Sequence, residues 1–175
     1  MAVTKTGGAF EFDHAVTQTF SSTFVPSSGS GTAVAKGTYR EEDGKGYRFV
    51  LFNNGTGNVA AVSGNLAYIR SASDPWDVTM DVSDSDRNLV CGVFLSVPAD
   101  LGYCWIQTKG YHATVKTNAD DDIAKGDAII ASAAGDGTAD STAQDTAPIC
   151  RVVGWAMAAD VDADDTVATF LTLES

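Results

Sequence analysis

Residues 43–57 read Asp43-Gly44-Lys45-Gly46-Tyr47-Arg48-Phe49-Val50-Leu51-Phe52-Asn53-Asn54-Gly55-Thr56-Gly57. A glycine-punctuated turn, a short run of aromatic and β-branched side chains and a second Asn/Gly turn follow one another, which is the pattern of a strand bounded by tight turns. The same grammar repeats along the chain. Strand-like runs occupy Ala33–Arg40, Tyr47–Asn53, Leu66–Arg70, Trp76–Val82, Leu89–Val97, Tyr103–Lys109, Tyr111–Thr117, Ala128–Ser132, Ile149–Ala158 and Thr166–Leu173, with turns such as Gly135-Asp136-Gly137 between them. About ten short strands at this spacing predict an all-β body, a barrel or sandwich.

Composition agrees. Val, Thr and Ile together outnumber Leu about sixfold, and stiff β-branched side chains fit a pleated surface better than a helix. The acid is almost all aspartate, 19 Asp against 4 Glu, and Asp favours turns and caps. At 175 residues and 44% hydrophobic the chain is the size of one domain and has enough apolar material for a real core. Its net charge of −12 argues against holding a polyanion, so neither nucleic acid nor an anionic membrane surface is expected as a partner.

Charge is unevenly spread. Residues 1–73 carry 6 basic and 5 acidic side chains, net +1, whereas residues 74–175 carry 5 and 18, net −13. Residues 1–32 stand apart in pattern as well. From Phe10 to Phe24 the apolar positions Phe10, Phe12, Val16, Phe20 and Phe24 fall on even numbers, the period of a strand with one apolar face. A helix through Val16, Phe20 and Phe24 is the competitor, and the Thr and Ser residues from Thr17 to Thr23 weigh against it. Residues 25–32, rich in Pro, Ser and Gly, read as a linker. The expected organisation is an extended N-terminal arm, 1–32, and a β-body, 33–175. An offset of 62 aligns Gly64-Asn65 with Gly126-Asp127 and Val90-Cys91-Gly92 with Val152-Val153-Gly154. It suggests two β-modules, 47–109 and 110–173, through the order of elements and not through identity, which is at chance level.

Motifs for chemistry are sparse. Asp160, Asp162 and Asp164 have the spacing that opens an EF-hand loop, but Asp165 stands where that loop needs Gly and Leu171 where it needs Glu. A solvated acidic turn is the expectation, with no metal and no cofactor. Cys104 and His112 become neighbours only if Lys109-Gly110 closes a hairpin, and no carboxylate is placed to complete a triad, so no enzyme activity is expected. Cys91, Cys104 and Cys150 show no paired spacing and read as buried thiols. Trp76, Trp105 and Trp155 lie in strand-like runs and read as core. Met1–Gly8 has no apolar run of signal-peptide length, so a soluble species is expected. Lys36, Arg40, Lys45 and Arg48 crowd one strand and its turn, either as a docking patch for an acidic partner or as an ordinary solvated face.

Three stretches carry a resemblance. The run from Asp43 to Ala67, the pair Asn88–Leu95 with Gly102–Gly110, and Ile123–Ile130 with Val152–Ala156 resemble segments of virion structural proteins of tailed bacteriophages, of the capsid decoration or cement type. Cys91 and Cys104 depart from that pattern, which has small residues or glycine there. The resemblance covers roughly residues 39–173 and implies a non-enzymatic protein on the outer surface of the phage head, assembled in the host cytoplasm. It implies binding to the major capsid protein and self-association, as homotrimers. On this reading Phe10, Phe12, Val16, Phe20, Phe24, Lys36, Arg40, Lys45 and Arg48 are the partner-binding residues, the arm reaching about 50 Å when extended. A tail or fibre component that binds host carbohydrate is the near alternative, and a calcium-binding extracellular β-module the distant one.

Overall fold

The computed structural model describes residues 15–21, 34–118, 123–133, 135–142, 151–160 and 165–173. Among them are ten strands: β1 (Tyr39–Glu42), β2 (Lys45–Phe52), β3 (Leu66–Ser71), β4 (Asp74–Thr79), β5 (Val90–Phe94), β6 (Tyr103–Lys116), β7 (Ala128–Ala131), β8 (Ala139–Thr142), β9 (Gly154–Ala156) and β10 (Thr166–Thr172). They form one sheet in the order β1-β2-β4-β3-β5-β6-β10-β9-β7-β8. Because β2 also pairs with β6, the strands β2, β4, β3, β5 and β6 close into a five-stranded barrel, which removes the open edges that a flat sheet would expose. The chain is all-β, as its sequence predicts. No helix among the described residues is long and apolar enough to cross a membrane.

Two strand expectations need correction, and one strand was not expected at all. Tyr103–Lys109 and Tyr111–Thr117 are not two strands but one, β6, which ends at Lys116. Gly110, at φ +84°, bends the strand without reversing it, and a Cβ there would sit 2.6 Å from the Gly44 carbonyl oxygen of the β1–β2 turn. Within the run Ala33–Arg40 the described residues, from Val34 on, become strand only at Tyr39, since the amide of Thr38 donates back to the Ala35 carbonyl at 3.1 Å and makes a turn. The polar stretch Ala139–Thr142 forms β8, held along its whole length by pairing to β7 that its side chains do not announce.

The 62-residue offset recurs in the hydrogen bonding. Leu66 and Ala67 on β3 pair with Val93 and Gly92 on β5, and Ala128 and Ile129 on β7 pair with Trp155 and Gly154 on β9. The Gly64 amide donates to the Phe94 carbonyl at 2.8 Å, and the Phe94 amide donates to the Asn65 carbonyl at 2.9 Å. Sixty-two residues on, Gly126 donates to Ala156 at 2.9 Å and Ala156 to Asp127 at 2.9 Å. Gly64 and Gly126 both take left-handed φ, +91° and +94°, which explains why this dipeptide is the visible trace of the repeat. The first half of β6 closes the ring begun by β2. Its second half pairs with β10, and a parallel bridge from Thr117 to Ala139 brings the end of β6 to β8, the counterpart of the parallel β2–β4 pairing. One long strand thus serves two similar five-stranded units.

Alternation along the ring strands sorts their side chains. Val50, Phe52, Ala67, Val78, Met80, Phe94, Cys104 and Ile106 fill the bore of the first barrel. Tyr47, Phe49 and Trp105 point the other way and are nevertheless buried, in a cluster against which Val16 and Phe20 pack. A third cluster, including Leu66, Tyr68, Val93, Val115, Ile129, Val167 and Leu171, joins the outer face of the first ring to the second.

Candidate docking surfaces

The residues expected to bind a partner are dispersed by the fold. Phe10, Phe12 and Phe24 lie outside the described residues. Val16 and Phe20 are seated on the body of their own chain. Phe20 pairs with Tyr103 as an isolated antiparallel bridge, and its ring meets Phe49 edge-on at 5.5 Å. The single continuous strand expected over this stretch is not what 15–21 forms, since Gln18 donates to the Ala15 carbonyl at 2.9 Å and makes a turn ahead of the bridge.

The basic residues do not make one patch. In the β1–β2 hairpin Arg40 is opposite Tyr47, while Arg48 is opposite Tyr39, so Arg40 and Arg48 project from opposite faces. Lys36 is ion-paired with Asp74, and the Arg40 Nη2 lies 2.6 Å from a Glu42 carboxylate oxygen. Arg48 is sandwiched between the rings of Tyr39 and Trp76, 4.9 and 5.0 Å from their centroids, and donates to the Gly37 carbonyl at 3.0 Å. Lys45 lies beside His112, whose neutral form it favours.

The aspartates act as turn fasteners. Asp81, 2% exposed, accepts from the amide and hydroxyl of Ser83 and, at 2.7 Å, from the Gly57 amide. The Ser83 hydroxyl and these amides hold its carboxyl below the usual range despite burial. Asp84 accepts from the Thr56 amide at 2.7 Å and Asp100 from the Asn54 amide at 2.9 Å, so three carboxylates pin the 53–58 turn. Asp160 accepts from the Thr117 hydroxyl at 2.8 Å, while Asp162 and Asp164 lie outside the described residues. Among the described residues no group of three metal-ligating side chains converges.

Cys104 and His112 are not neighbours, because they lie eight positions apart on one strand, about 26 Å at the usual rise. His112 is buried, its Nδ1 accepts from the Thr114 amide at 3.3 Å, and desolvation with help from Lys45 lowers its pKa to about 4. Cys104 is fully buried and Cys91 half-buried; both are free thiols whose pKa values desolvation raises, that of Cys91 to about 12. Cys150 lies outside the described residues.

Trp105 is fully buried, as expected, and Trp76 partly so. Trp155 is a correction: it is 47% exposed. On β9 the side chains alternate, with Gly154 and Ala156 buried and Trp155 outward, because only small residues fit where the sheet packs closely. Trp155 pairs with Phe170 on β10, and Phe170 pairs in turn with Tyr111 on β6. All three are near half exposed and belong to one cross-strand row, so three adjacent strands present a row of aromatic side chains to solvent. The signal was available in the alternation of residues 153–157 but needed the burial of the opposite face to be read. Comparison of the chain with protein-family models, curated proteins and solved structures found no match.

Proposed function

We propose that this chain is a non-catalytic structural protein of a tailed-phage head, a decoration protein that seats on the outside of the major capsid lattice and stabilises it. The observation that carries this reading is the exposed row Tyr111–Phe170–Trp155 on a rigid, cross-braced sheet. Aromatic side chains are the commonest anchors of protein interfaces, since they bury large area at little entropic cost. The resemblance supplies the kind of partner. Its glycine-anchored segments coincide with the turns and close approaches that define the two rings, Gly44 to Gly64 in the first and Gly126 to Gly154 in the second.

Copies docked around a symmetry axis of the lattice would assemble as homotrimers. Co-sedimentation with tail-less heads, followed by a cryo-electron-microscopy map, tests the proposal. Regular density on the outer head surface is the expected result, and density confined to the tail overturns it. The same aromatic row favours one second reading, a tail or fibre module that stacks the faces of host sugars. Binding to a glycan array with no binding to heads would establish that alternative.

A further inference from the structure

One end of the bore of the first ring is open. The apolar layers of Val50, Ala67, Val78 and Ile106 are followed, two residues along each strand, by Arg48, Ile69, Trp76 and Thr108. With Cys91 of β5, every strand of the ring sends a side chain to this mouth, which opens into a cavity of about 190 Å³. Arg151, from the connection leading into β9, reaches over the rim.

Two features of the mouth call for an anion. Arg48 and Arg151 both line it, and among the described residues neither makes an ion pair, in a chain with 23 acidic residues. Each is held instead by neutral groups, Arg48 by two rings and the Gly37 carbonyl, Arg151 by the Leu173 carbonyl at 3.1 Å. A guanidinium has five N–H donors in a planar fork, so both keep donors to spare. The second feature is independent of charge. Thr108 is 3% exposed and its hydroxyl has no hydrogen-bond partner among the described residues, a costly arrangement unless a ligand completes it.

We infer that the barrel mouth is a binding pocket for a carboxylate group, held between the guanidinium groups of Arg48 and Arg151 and accepting a hydrogen bond from the Thr108 hydroxyl. The apolar part of the ligand would rest against Ile69 and Pro75. Cys91 remains a neutral thiol there, occupied by the Ala67 carbonyl at 3.4 Å, and adds no competing negative charge. The cavity has room for a short acid or for one acidic side chain of a partner, and not for a cofactor. This inference does not depend on the proposed capsid role.

The test is an amide-resolved NMR titration of the full chain with propionate, with N-acetylglutamate methylamide as a stand-in for a partner's side chain, and with sodium chloride at matched ionic strength. Saturable shifts confined to the mouth are expected with one or both carboxylates and not with chloride. Preference for the glutamate compound assigns the site to a partner's acidic side chain, and preference for propionate to a free acid. Arg151→Gln should weaken binding at least tenfold. Thr108→Val should weaken it severalfold while leaving the melting temperature unchanged or higher, because it removes an unpaired buried hydroxyl. Arg48→Gln is the less clean variant, since it also strips the ring sandwich. Identical shifts with chloride, binding unaltered in both Arg151→Gln and Thr108→Val, or binding of inorganic phosphate alone would each overturn the inference.

Discussion

Phe20 and Tyr103 exchange both backbone hydrogen bonds, Phe20 N–H to Tyr103 O at 2.8 Å and Tyr103 N–H to Phe20 O at 2.9 Å. The pairing caps the outer face of the β2–β6 ladder, where Phe49 stacks on Tyr103 at 5.7 Å and meets the tilted ring of Trp105 at 5.2 Å. The segment around Phe20 therefore works as part of the body's core, and its removal should lower the melt. Phe20→Ala is expected to cost about 1–3 kcal/mol, from partial loss of an aromatic burial plus one edge-on ring contact. At this chain length each kcal/mol is worth about 2–4 °C in thermal denaturation. An unchanged midpoint in Phe20→Ala and in a chain lacking residues 1–31 would show that the bridge contributes nothing.

Asp81 should be the most sensitive of the turn-fastening carboxylates. Asp81→Ala leaves the Gly57 and Ser83 amides without their acceptor, and charge-assisted bonds of this kind are worth about 1.5–3 kcal/mol each before relaxation. A loss of about 2–4 kcal/mol in urea denaturation is expected. Its folded pKa is depressed, so its contribution is present above the unfolded carboxyl pKa of about 3.9 and disappears as pH falls through the lower folded value. The urea midpoint of Asp81→Asn should accordingly change less with pH than the wild type's below about pH 4.

His112 acts in a higher window. It is neutral when folded down to about pH 4, whereas in the unfolded chain it takes up a proton below about 6.5. Between those values the unfolded state binds more protons, so stability falls as pH drops from about 6.5 toward 4, by up to about 3 kcal/mol. Urea denaturation at neutral pH and at two steps inside that window should show this slope in the wild type and a shallower one in His112→Gln. Parallel slopes in the two proteins would mean that the histidine is protonated in the folded state.

How much of this was legible follows from what each pattern encodes. The run Phe49-Val50-Leu51-Phe52 is apolar on both sides of the strand, and the chain does cover both sides, the bore within and the aromatic cluster without. What it cannot encode is that residue 20 supplies part of the cover. The break expected at Gly110 is absent because a glycine with left-handed φ fits inside a continuous strand as well as at a reversal, and only the approach of the Gly44 carbonyl decides between them. Strand β8 was invisible because Asp140, Ser141 and Thr142 are only half-buried beside β7 and carry no apolar alternation. The basic patch dissolved for the opposite reason: proximity in sequence put Arg40 and Arg48 on opposite faces of one hairpin.

The aromatic row gives the sharpest separation between stability and docking. Trp105→Ala should cost about 3–5 kcal/mol, since it empties a fully buried site, and should be partly unfolded at physiological temperature. Trp155→Ala and Phe170→Ala remove side chains already 47% and 44% exposed, so each should shift the melt by no more than a few degrees. Their effect should fall on association. Truncating a central aromatic anchor costs about 2 kcal/mol or more, and about 1.4 kcal/mol is a tenfold change in affinity. The double variant should therefore bind tail-less heads at least a hundredfold more weakly while keeping its fold, read by co-sedimentation beside a thermal melt. Wild-type affinity in that folded variant would remove the row from the interface. A variant that keeps head binding but loses glycan binding would hand the row to sugar recognition instead.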